Sequence, residues 1–576
     1  MSKVYLLDYV AGNVRSLVNA IEKVGYTVEW IREPADVEKA DKLILPGVGH
    51  FGHCMSQLSG AGFVPALRRH IDAGKPFMGI CVGQQVLFEG STEDLDNPGL
   101  GLIPGRLEAF DDADKSVPHI GWNSADAGDR ALYDLRPASK YYYVHSYRKT
   151  YVAGELEALG WTVATGTYGA EVFVGALARD NVVATQFHPE KSGVAGLRFL
   201  RAFLEGESAR KTLGKVVVHH RADDGHGSAA PFGGLTRRVI ACLDVRANDQ
   251  GDLVVTKGDQ YDVREKDDAS NTTATTNNGS DGGPAAAAPG RGSVRNLGKP
   301  VELARRYYEQ GADEVTFLNI TSFRDCPLAD APMLEVLRRA SETVFVPLTV
   351  GGGVRDTSDA DGSEVSALEI ATMYFRSGAD KVSVGSDAVL AAEEYFAAGR
   401  RLFGNTAIEQ ISRAYGRQAV VVSVDPKRVY VPNADDATRH CTVRTAFPGP
   451  RGEEYCWWAC TIRGGRETRD LDVVELAQAV EALGAGELLL NSIDRDGSNA
   501  GFDLELVRQV KAAVRIPVIA SSGAGNPAHF ADVFENTTAD AALGAGIFHR
   551  GEYTVAQVKD HLASRGLEVR RVEHEL

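Results

Sequence analysis

The stretch Val346-Pro347-Leu348-Thr349-Val350-Gly351-Gly352-Gly353 recurs downstream as Ile516-Pro517-Val518-Ile519-Ala520-Ser521-Ser522-Gly523. Each copy is a short β-branched run that stops at a glycine cluster, the pattern of a buried parallel strand followed by a loop. Working outward, three more units repeat in the same order. Val239–Leu243 with Asp244 matches Val420–Val424 with Asp425, and Gly311-Ala312-Asp313-Glu314 matches Gly484-Ala485-Gly486-Glu487. Ala379-Asp380-Lys381 with Ser386 matches Ala539-Asp540-Ala541 with Gly546. Four strand-plus-loop units occurring twice predict eight strands alternating with helices over 237–576, a (β/α)₈ TIM barrel built from two half-barrels.

The 576-residue chain has more upstream of this repeat than a barrel needs. Around 206–236 it turns small and polar, the composition of a linker. A second stretch, about 265–292, is rich in Asn, Thr, Gly, Ala and Pro and is expected to be a disordered insertion in the barrel. Residues 1–205 alternate short apolar runs (Val4–Leu7, Leu43–Leu45, Phe77–Ile80) with amphipathic stretches read as helices (Val14–Val24, Val82–Glu89), which predicts a separate α/β domain. Hydrophobic residues at 44% and charged residues at 24% exclude wholesale disorder. The net charge of −16 argues against a nucleic-acid partner but leaves room for small anions in local pockets. No apolar run reaches the ~18 residues that cross a bilayer, Asp8 interrupts the first apolar stretch, and seven cysteines form no disulfide framework. The expectation is a cytoplasmic protein without a membrane partner.

In the first domain, Gly79-Ile80-Cys81-Val82-Gly83 lies between a strand and a predicted helix. Small residues on both sides of Cys81 permit the sharp turn of a nucleophile elbow, and the following helix N-terminus would favour a thiolate. Downstream, Gln186-Phe187-His188-Pro189-Glu190 offers an imidazole with a carboxylate two residues on, a base and its orienter. Pro46-Gly47-Val48-Gly49 offers a flexible backbone whose N–H groups can face a tetrahedral oxyanion. Together these motifs resemble the class I (triad) glutamine amidotransferases over about residues 3–204. The resemblance implies that Cys81 attacks the glutamine side-chain amide with His188 as base and Glu190 as orienter. It also implies that Gly47 to Gly49 form the oxyanion loop and that Gln85 contacts glutamine. Val10, in Asp8-Tyr9-Val10-Ala11-Gly12-Asn13, stands where the resemblance expects glycine, a departure that bears on coupling to the barrel rather than on hydrolysis.

In the barrel, the repeat places Asp244 and Asp425 at the ends of the first and fifth strands, facing each other across the mouth where such barrels carry their chemistry. Paired carboxylates there suit general acid and base work. The glycine clusters divide likewise: Gly351 to Gly353 with Gly385 and Ser386 in one half, Ser522 and Gly523 with Gly544, Ala545 and Gly546 in the other. Loops of this kind present backbone N–H groups to phosphate, and two in symmetric positions predict a substrate phosphorylated at both ends. From about residue 237 onward the chain resembles the cyclases of the imidazole glycerol phosphate synthases, through Ile240–Val245, Val350–Gly353, Ser492-Ile493-Asp494-Arg495-Asp496-Gly497 and Ala520–Gly525. The order, glutaminase then cyclase, is similar to the bifunctional members of fungi and plants, which need no separate glutaminase subunit. The resemblance implies a bisphosphorylated nucleotide (a ribulosyl aminoimidazole-carboxamide, PRFAR) as substrate and Asp244 and Asp425 as acid/base pair. It places Lys257 on a loop closing over the substrate, with Asp496 assisting and Gly497 beside it. It also implies that Arg238, Glu314, Lys381 and Glu487, at the opposite strand ends, form an ammonia gate. His440-Cys441 with Cys456 and Cys460, in what reads as a long loop after the fifth strand, fits no strong zinc spacing, so neither metal nor cofactor is expected. Two other readings remain: a glutaminase coupled to a different phosphosugar barrel, which would have no use for ammonia, and a non-catalytic scaffold, which would have no use for a complete triad.

Overall fold

A computed structural model describes residues 3–9, 12–128, 130, 132–206, 234–247, 253–256, 297–320, 331–358, 362–437 and 439–576. Most of the predicted linker, the predicted insertion at 265–292, Val10 and Lys257 lie outside the described residues.

The first domain is built on a seven-stranded sheet. Four parallel strands, Thr27–Ile31, Lys3–Leu7, Leu43–Leu45 and Phe77–Ile80, continue through Val182–Thr185 into the antiparallel pair Glu171–Arg179 and Thr162–Tyr168. Their apolar residues meet helices on both faces in one core, as near-continuous hydrophobic strands require. The predicted helix Val82–Glu89 is a single turn, Val82–Gln85, after which Phe88–Ser91 pairs with Ile103–Ala109. The apolar run Val86-Leu87-Phe88 is completely buried, so burial and strand pairing override its helical period.

Eight parallel strands close the second domain: Arg238–Ala247, Glu314–Asn319, Leu348–Gly351, Lys381–Val384, Val420–Val424, Glu487–Asn491, Val518–Ser521 and Ala541–Gly544, the last pairing back on the first. Their outward residues pack on the helices in one cluster. Inward residues, among them Ile240, Cys242, Val421, Leu489 and Ile519, fill the barrel. The long loop predicted after the fifth strand is instead a four-stranded antiparallel sheet, Pro426–Val431, Val443–Arg444, Tyr455–Ile462 and Glu467–Asp472. The aromatic run Tyr455–Ile462 is its central strand, and the β-prone side chains are buried against the barrel helices. Cys456 and Cys460 are part of that packing, while the His440 ring stacks on Trp457 at 3.6 Å.

The two domains dock at the N-terminal ends of the barrel strands. The ribbon His119–Asn123/Tyr141–His145 supplies Trp122, whose indole N–H donates to the Asp313 carbonyl at 3.1 Å and whose face carries Arg570 at 4.1 Å. Lys191 pairs with Asp380 at 2.7 Å, and the Val117 N–H donates to the Arg515 carbonyl at 2.9 Å. Every barrel group in these contacts except Arg570 precedes a strand. The mouth with Asp244 and Asp425 therefore faces the other way.

Two candidate active sites and the path between them

Cys81 ends the strand Phe77–Ile80 with φ +52° and ψ −107°, a conformation that strains any residue with a Cβ and that marks elbow nucleophiles. The glycines around it are required by space. A Cβ on Gly79 would lie 2.4 Å from the Gly83 carbonyl oxygen, and one on Gly83 would lie 2.1 Å from that of Leu45. His188 Nδ1 donates to Glu190 Oε1 at 2.8 Å, which leaves Nε2 for Cys81. All three side chains are buried. Burial alone would push the imidazole pKa down, but the charges of Glu190 and Cys81 outweigh it and hold the pKa well above the usual histidine value. The site thus favours a charged His188 imidazole between Glu190 and the Cys81 sulfur. Because the helix after Cys81 is one turn long, the support predicted from its N-terminus is small.

Gly47 and Gly49 bracket Val48 beside the elbow: a Cβ on Gly47 would meet the Gly83 nitrogen at 2.6 Å. On its other side this loop reaches the barrel, where a Cβ on Gly49 would lie 3.5 Å from the Ala414 carbonyl oxygen. The loop predicted to face the oxyanion therefore touches both domains. Gln85 donates to the Tyr147 carbonyl at 3.2 Å and to Gln186 Oε1 at 3.1 Å, and Gln186 Nε2 lies 3.5 Å from the Cys81 sulfur.

At the barrel mouth a cavity of about 280 Å³ holds Asp244 and Asp425. Gly353, Gly385 and Ser386 line one side, Gly523, Ala545 and Gly546 the other, with Asp496 and Gly497 between them. Every described residue predicted for this site is therefore brought together, and the two glycine clusters fall on opposite walls as the repeat predicts. Burial raises the Asp425 pKa to about 6; Asn491, donating at 3.0 Å, opposes the rise and Asp496 adds to it. Sequence reasoning missed Asn491, although it ends the sixth strand just as Asp425 follows the fifth. It also missed Arg246, Arg355 and Arg466, cationic side chains on the cavity wall suited to phosphate. Arg466 comes from the tip of the sheet inserted after the fifth strand, and the neighbouring Arg463 N–H donates to Ser386 Oγ at 2.9 Å.

At the other end of the barrel Arg238, Glu314, Lys381 and Glu487 form a closed ring. Arg238 pairs with Glu314 at 3.2 Å and with Glu487, and Lys381 pairs with Glu314 at 2.8 Å and Glu487 at 2.6 Å. None is more than 1% exposed. Burial would raise the Glu487 pKa, but Arg238 and Lys381 outweigh it and hold the carboxyl below its ordinary value. Thr349, missed in the sequence, donates to Glu314 Oε1 at 2.6 Å. Between ring and triad lies a cavity reached by both His188 and Lys381 and walled by Val48, Tyr142, Val144 and Tyr415.

A buried cysteine–histidine–carboxylate triad docked on the base of a carboxylate-bearing barrel defines the class: a triad amidotransferase joined to a (β/α)₈ enzyme. A family model for glutamine amidotransferase class-I matches residues 5–205, and one for histidine biosynthesis protein matches 238–554. The imidazole glycerol phosphate synthase hisHF of Emericella nidulans is 65% identical over the whole of both chains. That of Schizosaccharomyces pombe is 56% identical over 98% of this chain and 99% of its own. The chloroplastic one of Arabidopsis thaliana is 51% identical over 99% of this chain and 90% of its own. The chain belongs to the family of bifunctional imidazole glycerol phosphate synthases, with both catalytic domains in one polypeptide.

Among the described residues no helix is long and apolar enough to cross a membrane, and no group of three or more His, Cys, Asp or Glu is placed to hold a metal.

Proposed function

We propose that the chain hydrolyses glutamine at Cys81, passes the ammonia through the ring at the barrel base, and uses it at the mouth. There it converts PRFAR to imidazole glycerol phosphate and an aminoimidazole carboxamide ribotide. The observation that carries this reading is the alignment of triad, walled cavity, charged ring and paired aspartates along one axis through two docked domains.

In the first half, the Cys81 thiolate attacks the side-chain amide carbon and His188, steadied by Glu190, gives its proton to the departing ammonia. The Gly47–Gly49 loop faces the oxyanion and Gln85 the substrate glutamine. Water then cleaves the thioester to glutamate, with His188 as base. Ammonia released into bulk water at neutral pH would be protonated and lose its nucleophilicity, so a walled path preserves the reagent. In the second half, Asp244 and Asp425 exchange protons with the condensing and cleaving intermediate, Asp496 assists, and the two glycine walls hold one phosphate each. Lys257 is assigned to closure over the substrate by the resemblance alone. The thiols of Cys54, Cys242, Cys441, Cys456 and Cys460, none of them in a disulfide, suit a reducing, cytoplasmic setting.

The ring gives the test. Glu487→Ala leaves Arg238 and Lys381 buried without their shared carboxylate, which costs about 3–5 kcal/mol of stability. Glu487→Gln keeps the shape at smaller cost. Both variants are expected to retain glutaminase activity while consuming several glutamines per imidazole product, measured by parallel glutamate and product assays. Unchanged stoichiometry in a folded variant rejects the ring as the conduit.

A further inference from the structure

The one-turn helix after Cys81 gives its sulfur little electrostatic support, and the structure places a side-chain donor beside it. Gln186, 1% exposed and two residues before His188, directs its amide nitrogen at the sulfur from 3.5 Å. An amide can face either way, and which way it faces decides its effect. An N–H toward sulfur favours the thiolate, whereas a carbonyl oxygen there favours the thiol.

The orientation is settled by hydrogen bonds that converge on the Tyr147 carbonyl, which accepts from Gln85 on one side and from His145 on the other. Gln186 Oε1 accepts from Gln85 Nε2, whose other proton goes to the Tyr147 carbonyl. That carbonyl also accepts from His145 at 2.8 Å; a carbonyl has no proton to give, so His145 Nδ1 carries the hydrogen. Burial pushes the His145 pKa down to about 3 and holds that of His119 well below its usual value, so both rings are neutral. His145 Nε2 must then accept, from His119 Nδ1 at 3.1 Å, and His119 Nε2 in turn accepts from Asn123 Nδ2 at 3.3 Å. Backbone anchors the far end: the other Asn123 amide proton goes to the Thr167 carbonyl at 2.8 Å, and its Oδ1 accepts from the Ser124 N–H at 2.9 Å. Tyr168 stacks on His119 at 4.2 Å, and Phe110 and Phe173 close around the histidine pair. Reversing any member would set donor against donor, or acceptor against acceptor, in a dry site where an unmade bond is costly.

We propose that Gln186 is a further catalytic residue of the glutaminase site, donating its amide N–H to the Cys81 sulfur. Gln85 is a positioning residue that holds that amide in the donating orientation, its own orientation fixed by the Tyr147 carbonyl. The proposal rests on the reading of Cys81 as the nucleophile.

The experiment is iodoacetamide inactivation of the glutaminase in the full chain, followed as rate against pH. The titratable groups that face the sulfur are His188, backed by Glu190, and Tyr9 from the segment after the first strand; the variants leave all three in place. Gln186→Leu removes the donor at similar volume, and Gln186→Glu is isosteric but turns an oxygen toward sulfur. The alkylation midpoint is expected to move about one pH unit upward in Gln186→Leu, with labelling about tenfold slower at pH values below the parent's midpoint, and with kcat for glutamine falling and KM changing less. Gln186→Glu is expected to shift it further. Circular dichroism and ammonia-driven product formation report the fold; should the leucine variant not fold, the isosteric glutamate variant carries the test. An unchanged midpoint in a folded Gln186 variant overturns the proposal. Labelling of a residue other than Cys81 in the unaltered protein would instead overturn the nucleophile assignment on which it rests.

Discussion

Cys81→Ala is expected to abolish glutamine-driven product formation, by about 10³-fold or more, while ammonium salt at high pH still drives the barrel reaction at the unaltered rate. The asymmetry follows from the architecture. Cys81 lies in the glutaminase core and shares no residue with the mouth cavity, which the barrel forms by itself. Removing the sulfur while keeping the Cβ, at a site walled by Gly79, Gly83 and the Val82 turn, leaves the elbow's backbone unchanged, so docking persists. His188→Ala is expected to behave in the same way, for without the imidazole nothing protonates the leaving ammonia. The measurement is product formation from PRFAR with each nitrogen source in turn. Loss of both reactions in a folded variant would break the division of labour between the domains. Retention of both would remove Cys81 from the chemistry.

Asp425→Asn is expected to lose product formation by about 10³-fold with either nitrogen source, while glutamine hydrolysis survives. It is also expected to stabilise the protein. The folded pKa of about 6 lies above the ordinary aspartate value, so the native state binds a proton that the unfolded chain releases over the window from about pH 4 to 6. Asp425 therefore costs stability as pH rises through that window, and the cost is complete at pH 7. An amide carries no such cost, which makes Asp425→Asn more stable than the parent by up to about 3 kcal/mol at pH 7. The difference vanishes below about pH 4, where aspartate is protonated in both states. Thermal unfolding at pH 4 and pH 7 measures it. Equal Tm differences at both pH values would mean that burial does not raise the Asp425 pKa. The ammonia-driven rate of the parent should show a limb near pH 6, and its direction distinguishes a base, lost on acidification, from an acid, lost above it.

The barrel was legible because its evidence is periodic. A strand that ends at a phosphate loop must carry β-branched residues and then glycine, and two half-barrels repeat that requirement at Val346–Gly353 and Ile516–Gly523. The triad was legible because its sharpest constraints are local: Gly79 and Gly83 flank Cys81, and Glu190 follows His188 by two residues. The stretch Val82–Glu89 was misread because its helical period competes with complete burial of Val86-Leu87-Phe88, which only the folded domain supplies. The sheet after the fifth strand was misread for a related reason: Tyr455–Ile462 is buried on both faces and shows no alternation. The Gln85–Gln186 pair joins residues 101 apart through side-chain amides, and no local pattern marks which way an amide faces. The ring at the barrel base lies between these extremes. Its four charges can be read at the starts of strands, but their mutual pairing and complete burial belong to the closed barrel.

Coupling between the sites is the central claim, and isotope partition tests it most directly. Glutamine labelled with ¹⁵N at the side-chain amide is supplied with PRFAR in a large excess of unlabelled ammonium at neutral pH, and the imidazole product is analysed by mass. Passage through the walled cavity and the charged ring predicts product carrying the glutamine label almost undiluted, and dilution on Glu487→Gln. Product whose label matches the bulk ammonium pool in the unaltered protein would contradict the channel.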